Sequence, residues 1–136
     1  EYIYAAPHVQ EARPACPVFP LLFESTMINA DVLYSIADTL EHRKSADPKS
    51  SYVSELLHKG EDAVLKKVLE ECGEVLMASK EGNKLHLVRE VADLWFHSMV
   101  LLTHHGLRPD DILAELKRRE GISGHDEKAA RPAATA

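Results

Sequence analysis

The chain has few residues of the kinds that build disulfide, zinc or membrane-spanning proteins. Two of its 136 residues are cysteines, Cys16 and Cys72, which is too few for a disulfide scaffold, and their spacing matches no zinc motif. No apolar run approaches the roughly 18 residues that a transmembrane helix needs. We therefore exclude these classes and expect a reducing, cytoplasmic location.

Positive charge is also scarce, with 16 basic against 22 acidic residues and a formal net charge of −6. This balance argues against a surface that grips nucleic acid phosphates or anionic lipid. It does not exclude a small phosphorylated substrate, because a bound metal ion can supply local positive charge. Apolar residues make up 45% of the chain, a proportion typical of one globular domain.

The N-terminal segment differs from the rest of the chain. Residues 1–26 show no helical periodicity and lack the basic start and apolar core of a secretory signal; they contain Pro7, Pro14, Pro17 and Pro20. We predict a disordered N-terminal extension over 1–26, with Met27 as the natural start, an all-α domain over 27–123 and a flexible tail over 124–136. A genuine but poorly ordered N-terminal tail is the alternative.

From Met27 onward the apolar periodicity is helical, and no run alternates with a period of two residues. The fold class is therefore predicted to be all-α, a bundle of about five helices over residues 29–43, 52–59, 61–81, 85–105 and 109–120. The fourth helix is apolar on most sides and includes Trp95 and Phe96. A domain this small cannot cover such a helix alone, so we predict a homodimer that forms through it.

Two pairs of carboxylates indicate the chemistry. Glu71 and Glu74 are three residues apart on the third helix, and Glu90 and Asp93 on the fourth, so each pair shares a helix face. The second pair is embedded among apolar residues, where an isolated carboxylate costs several kcal/mol unless a cation neutralises it. Oxygen ligands select Mg²⁺ or Mn²⁺, so we predict a metal site of these four residues. Solvated acids paired with nearby lysines are the alternative.

Candidate phosphate ligands surround this cluster in sequence. The basic ones are Arg43, Lys59, Lys66, Lys67 and Lys80, and hydroxyls at a predicted helix start are offered by Ser51 and Tyr52. For each lysine, the alternative is that it is an ordinary surface residue and not a phosphate ligand. His97 follows Asp93 by four residues, but we expect His97 to lie on a helix surface or interface. The chain has no phosphate-binding glycine loop and no serine or cysteine nucleophile motif.

Five blocks of the sequence together resemble a known family. They are residues 47–53 (Asp-Pro-Lys-Ser-Ser-Tyr-Val), 56–60 (Leu-Leu-His-Lys-Gly), 65–75 (Leu-Lys-Lys-Val-Leu-Glu-Glu-Cys-Gly-Glu-Val), 90–97 (Glu-Val-Ala-Asp-Leu-Trp-Phe-His) and 113–121 (Leu-Ala-Glu-Leu-Lys-Arg-Arg-Glu-Gly). They are similar to the phosphoribosyl-ATP pyrophosphatases of histidine biosynthesis. The carboxylate pairs belong to the wider all-helical nucleotide pyrophosphatase superfamily, whereas the Ser-Ser-Tyr-Val and Lys-Gly blocks are specific to this branch.

The resemblance implies hydrolysis of phosphoribosyl-ATP to phosphoribosyl-AMP and pyrophosphate, with Mg²⁺ at the four carboxylates and a homodimer. Glu70, Glu71 or Glu74 would accept the proton of the attacking water, and lysines such as Lys59 and Lys67 would hold the leaving pyrophosphate. Two alternatives stay open. One is a housekeeping nucleoside triphosphate pyrophosphatase, and the other is a non-enzymatic helical interaction module.

Overall fold

The computed structural model describes residues 31–130, and within that range it confirms the all-α prediction. The described residues form six helices and no strand: α1 (Asp31–Arg43), α2 (Tyr52–His58), α3 (Glu61–Glu81), α4 (Lys84–His104), α5 (Pro109–Arg119) and α6 (Gly124–Ala130). None of these helices is long and apolar enough to cross a membrane. The predicted N-terminal extension lies outside the described residues.

The described residues divide into two compact units, 31–109 and 110–130. The first unit contains α1 to α4, whose facing apolar side chains form its core. That core consists of Ala37, Leu40, Leu56, Val64, Met99 and Val100, with every one of the four helices contributing at least one residue. All the carboxylates predicted to bind metal lie in this unit.

The α3–α4 hairpin is the part of the fold that positions these carboxylates. Gly82 ends α3 with a φ of 73°, a left-handed conformation that glycine adopts at little cost. Asn83 follows as the N-cap of α4, where its side chain accepts a hydrogen bond from the backbone N–H of His86. This short connection folds α4 back along α3, and the two helices pack more extensively than any other pair.

The buried face of α3 differs from its most apolar face. Its buried residues are Val64, Glu71 and Ala78, spaced seven apart and therefore on one line along the helix. The leucines of α3 face outward instead, with Leu69 73% and Leu76 69% exposed. A carboxylate thus occupies the packed side of α3, and leucines occupy the open side.

Helix α4 is buried along only part of its length. Met99, Val100 and Thr103 near its C-terminal end are buried, whereas Val88 and Trp95 are exposed, Trp95 by 59%. Within the described chain, α4 is therefore not covered on all sides. Several apolar residues of α3 and α4 are exposed, and we call them the α3–α4 face: Leu65, Leu69, Leu76, Val88 and Trp95.

The second unit contains most of α5 and the short helix α6. Arg118 on α5 pairs with Glu115 one turn earlier and with Glu127 on α6. The sequence predicted a flexible tail from residue 124, but the first seven residues of that segment are helical. Residues 131–136 lie outside the described range, so the motion of the tail stays a prediction.

Candidate active site

Three of the four predicted metal ligands meet between α3 and α4. Glu71, Glu90 and Asp93 each offer a carboxylate oxygen, and these oxygens all lie within 4.8 Å of one another. Glu71 is only 8% exposed, Glu90 is half-buried and Asp93 is exposed. We call these three residues the carboxylate cluster. The cluster therefore extends from the buried Glu71 at the helix interface to the exposed Asp93 at the surface.

Glu74 is not part of the carboxylate cluster, although it lies one turn after Glu71. Its side chain is exposed, because the line of α3 that packs on α4 passes through Glu71 rather than Glu74. The structure therefore does not bring together the full set of four predicted ligands. The role of Glu74 as a fourth ligand remains a prediction that requires its side chain to turn toward the cluster.

Lys67 supplies the positive charge next to Glu71. Its Nζ lies 3.2 Å from Glu71 Oε1 and 2.8 Å from Glu70 Oε2. The hydrogen bond with Glu70 is the main cause that raises the pKa of Lys67 above its usual range, and it lowers the pKa of Glu70 in return. Lys67 therefore stays protonated at neutral pH, and Glu70 is held in an ion pair at the edge of the cluster.

His86 contacts the same cluster from the first turn of α4, a contact that the sequence pattern did not reveal. Its Nε2 lies 3.1 Å from Glu90 Oε1, and its Nδ1 lies 2.6 Å from Glu81 Oε2. The hydrogen bond with Glu81 raises the pKa of His86. His86 thus links the end of α3 to the carboxylate of Glu90.

We expected His97 to lie on a helix surface or in an interface. Its side chain is only 7% exposed, so it does not lie on the surface. Its Nδ1 donates a hydrogen bond to the backbone carbonyl of Asp93 at 3.0 Å and lies 3.5 Å from Glu71 Oε1. With Nδ1 as a donor, Nε2 of the neutral ring accepts the hydroxyl of Tyr52 at 3.1 Å. His97 therefore lies between the carboxylate cluster and the start of α2.

Tyr52 and Phe96, which both contact His97 edge-to-face, also line a cleft of about 430 Å³ next to α1. Its lining combines apolar and hydroxyl side chains with one arginine, and consists of Ser35, Ile36, Thr39, Leu40, Arg43, Ser50, Ser51, Tyr52, Val53 and Phe96. Three predicted substrate ligands, Arg43, Ser51 and Tyr52, are therefore brought together. No carboxylate lines this cleft among the described residues.

The hydroxyl of Ser51 already has one partner. Ser51 is the N-cap of α2, and its Oγ accepts a hydrogen bond from the backbone N–H of Ser54. The Glu55 carboxylate, one turn into α2, pairs with Lys59. The hydrogen of the Ser51 hydroxyl has no acceptor among the described side chains. It can therefore donate to a ligand in the cleft.

The remaining predicted phosphate ligands are dispersed. Lys59 pairs with Glu55 on exposed surface, and Lys66 lies 4.0 Å from Glu70. Lys80 is exposed and lies nine residues beyond Glu71, about 13 Å farther along the helix axis. Of the four lysines, only Lys67 contacts a member of the carboxylate cluster.

Comparison with known proteins identifies the family to which this site belongs. Residues 33–120 match the family model described as phosphoribosyl-ATP pyrophosphohydrolase. The chain belongs to this family. The match extends from α1 into α5 and includes every site residue described above.

Individual members of the phosphoribosyl-ATP pyrophosphohydrolase family are also closely similar. The chain is 73% identical to the phosphoribosyl-ATP pyrophosphatase of Chromobacterium violaceum over 101 residues, which cover 74% of this chain and 94% of the relative. It is 66% identical to the phosphoribosyl-ATP pyrophosphatase of Neisseria meningitidis serogroup C over 100 residues, which cover 74% of this chain and 94% of the relative. It is 58% identical to the phosphoribosyl-ATP pyrophosphatase of Nitrosospira multiformis over 110 residues, which cover 81% of this chain and 91% of the relative.

The donor set of the carboxylate cluster suits the divalent metal that a pyrophosphohydrolase of this family would use. Its ligand atoms are all carboxylate oxygens, which favour hard cations such as Mg²⁺. Within the described chain, Lys67 lies beside Glu71 and His86 beside Glu90, so the three close negative charges are only partly balanced. A divalent cation would relieve the remaining repulsion.

Proposed function

We propose that the chain hydrolyses phosphoribosyl-ATP to phosphoribosyl-AMP and pyrophosphate, a step of histidine biosynthesis, and that it does so in the cytoplasm. The observation that carries this proposal is the carboxylate cluster, placed beside a nucleotide-sized cleft in a chain of this family. Water cleaves the anhydride bond between the α and β phosphates. The oxygen of water is incorporated into the nucleoside monophosphate product, and pyrophosphate is the leaving group.

Mg²⁺ would be held by Glu71, Glu90 and Asp93, with Glu74 as the fourth ligand. Mn²⁺ has the same ligand preferences and could replace it. When bound, the metal supplies charge neutralisation for the triphosphate and activation of water. The buried position of Glu71 fixes one ligand firmly, while the exposure of Asp93 and Glu74 leaves the outer side of the site open to substrate.

The proton of the attacking water goes to a carboxylate on α3. Glu70 is disfavoured as the base, because its ion pair with Lys67 lowers its pKa. Glu71 is both buried and a metal ligand in this proposal. Glu74 is exposed and has no ion pair with any described residue. One of its carboxylate oxygens would bind the metal, which leaves the second oxygen to accept the proton, and we therefore favour it as the general base.

Lys67 is the lysine placed to hold the leaving pyrophosphate. Its Nζ lies 3.2 Å from Glu71 and 2.8 Å from Glu70, so its ammonium is held at the edge of the carboxylate cluster, where the phosphates would bind. Lys59, Lys66 and Lys80 are exposed and would need to reach the phosphates from the surface. We assign them a secondary role in attracting the anionic substrate.

A homodimer is proposed from the α3–α4 face. Leu65, Leu69 and Leu76 on α3 and Trp95 on α4 are exposed in the single chain. A second copy that presents the same face would bury these side chains in a symmetric interface. Such burial explains why the most apolar line of α3 is not the one packed inside the chain.

The test is release of pyrophosphate from phosphoribosyl-ATP and from a panel of nucleoside triphosphates, with and without Mg²⁺. The proposal expects Mg²⁺-dependent release from phosphoribosyl-ATP and little from dUTP or dCTP. Equal activity on the panel would instead indicate a housekeeping pyrophosphatase. No activity and no effect of Mg²⁺ on the melting temperature would indicate an interaction module.

A further inference from the structure

The cleft next to α1 has the composition of a site for a negatively charged, ring-bearing group. Ile36, Leu40 and Phe96 give it an apolar wall, while Arg43 contributes the only charge among the described lining residues. Its volume of about 430 Å³ falls in the range of pockets that hold small organic ligands. Metal ligands are absent from the described lining, so this cleft and the carboxylate cluster are chemically different sites.

Arg43 is available to a ligand. Its side chain is exposed, and it makes no ion pair or hydrogen bond with any described residue. Lys44 and Lys67, in contrast, are already paired, Lys44 with Glu41 and Lys67 with Glu70. A guanidinium can hold a phosphate through two parallel hydrogen bonds. Arg43 is therefore a ready phosphate ligand at one edge of an apolar cleft.

The hydroxyls of the cleft add a second donor beside this cation. The hydroxyl hydrogens of Thr39 and Ser50 are used on the backbone carbonyls of Ser35 and Asp47. Ser51, in contrast, only accepts a bond from the backbone, so its O–H can donate. Arg43 and Ser51 thus provide donors with no competing acceptor, which is the pattern needed for an anion.

A single side chain separates this cleft from the carboxylate cluster. His97 is hydrogen-bonded to Tyr52 in the cleft lining at 3.1 Å and lies 3.5 Å from Glu71 in the cluster. One nucleotide can therefore place its triphosphate at the cluster and its organic end in the cleft. In phosphoribosyl-ATP that organic end carries a further phosphate, on the phosphoribosyl group, which ATP lacks.

We propose that the cleft binds the phosphoribosyl end of the substrate and that Arg43, with Ser51, recognises its phosphate. This inference rests on the proposed function, since it names what distinguishes phosphoribosyl-ATP from ATP at the same site. Phe96 and Ile36 contact the base or ribose, which supplies apolar area. Arg43 is then a specificity-determining residue, and it takes no part in the reaction at the α and β phosphates.

The experiment compares Arg43→Gln with Lys44→Gln. Lys44 is adjacent in sequence and carries the same charge, but it pairs with Glu41 and does not line the cleft. Calorimetric titration with phosphoribosyl-AMP and with AMP measures the preference of each variant for the phosphoribosyl group. We expect Arg43→Gln to weaken phosphoribosyl-AMP binding by about 10- to 100-fold and to leave AMP binding within about twofold, whereas Lys44→Gln changes neither.

Turnover separates this inference from the proposed function. In Arg43→Gln the loss should fall on KM for phosphoribosyl-ATP, while kcat at saturating substrate changes little, because the metal ligands are intact. Equal weakening of phosphoribosyl-AMP and AMP, or an equal effect of Lys44→Gln, would overturn the role of Arg43 while wild-type turnover still supports the function. If the wild-type chain turns over no phosphoribosyl-ATP and binds phosphoribosyl-AMP no better than AMP, both are wrong.

Discussion

The hydroxyl of Tyr52 and Nε2 of His97 lie 3.1 Å apart, although the two residues are 45 positions apart in sequence. Because His97 donates through Nδ1 to the carbonyl of Asp93, its Nε2 is left as an acceptor that only a donor such as this hydroxyl can satisfy. The contact joins the first turn of α2 to α4. It thereby fixes the cleft beside the carboxylate cluster.

Loss of this hydroxyl should be measurable as a loss of stability. Tyr52→Phe keeps the ring but leaves the buried Nε2 without its partner, so we expect the free energy of unfolding to fall by about 1 kcal/mol. Urea denaturation followed by circular dichroism measures it. Tyr34→Phe on α1 is the matched control, because no described residue hydrogen-bonds the hydroxyl of Tyr34. An equal change in both variants would contradict the assigned role of Tyr52.

The proposed dimer predicts that charge on the α3–α4 face produces monomers. Leu69→Lys combined with Leu76→Lys places two ammonium groups where leucines would meet the second copy, and burying them unpaired is costly. Light scattering should give about twice the chain mass of 15.2 kDa for the wild type and the single mass for the variant. Val32→Lys, at an exposed apolar position on α1, should remain a dimer. A monomeric wild type at micromolar concentration would refute the proposal.

Glu115 should stabilise the fold in a way that depends on pH. Hydrogen bonds from Arg118 and Arg119 lower its pKa from 4.5 to about 2. The ionised form is thus favoured in the folded state, so its stabilising effect is present above pH 4.5 and is lost as the pH falls toward 2. The stability difference between wild type and Glu115→Gln should therefore shrink over that interval. Since both partners are largely solvated, salt should also reduce it.

Two measurements check this prediction. Denaturant midpoints at several pH values give the stability difference between the wild type and Glu115→Gln. Asp62→Asn is the control, because Asp62 is exposed and has no ion pair with a described residue. A difference that stays constant from neutral pH to pH 2 would show that the ion pairs contribute nothing. Pyrophosphate release by Glu115→Gln at neutral pH should match the wild type, because Glu115 lies outside the proposed site.

The carboxylate pairs could be predicted from sequence because their information is local. Glu90 and Asp93 share a face through their spacing alone. Their apolar neighbours indicated burial, which is correct in part for the half-buried Glu90 and wrong for the exposed Asp93. Which side of α3 packs on α4 is not local. The leucines of α3, such as Leu69, are exposed, whereas Glu71 is on the packed line and Glu74 is not. A sequence pattern reports which residues avoid water in the assembled protein, and it does not say whether the same chain or a second copy covers them.

The role of His97 could not be predicted for a similar reason. Its place one turn after Asp93 suggested proximity to the cluster, but its burial depends on the start of α2 lying against α4. That contact is tertiary and leaves no periodic signal in either helix. The cleft has the same origin, since Arg43 on α1 and Phe96 on α4 become neighbours only through the packing of three helices.

Asp93 provides the most direct test of the metal site. Its carboxylate lies within 4.8 Å of those of Glu71 and Glu90, so like charges repel when no metal is bound. Asp93→Asn removes one charge and keeps the shape, and stability without metal should hold or rise. The increase in melting temperature caused by Mg²⁺ should shrink, because the variant binds the ion more weakly.

Catalysis should change in the opposite direction. We expect pyrophosphate release by Asp93→Asn to fall by at least about 10²-fold, the order found when one electrostatic stabiliser of a transition state is removed. Glu90→Gln should behave alike, with a small additional loss of stability because its contact with His86 weakens. Glu115→Gln is the control for a removed carboxylate that is neither a proposed metal ligand nor a proposed substrate ligand. Near-normal release by Asp93→Asn at saturating Mg²⁺ would show that the cluster is structural, and the catalytic centre would then have to lie elsewhere in the chain.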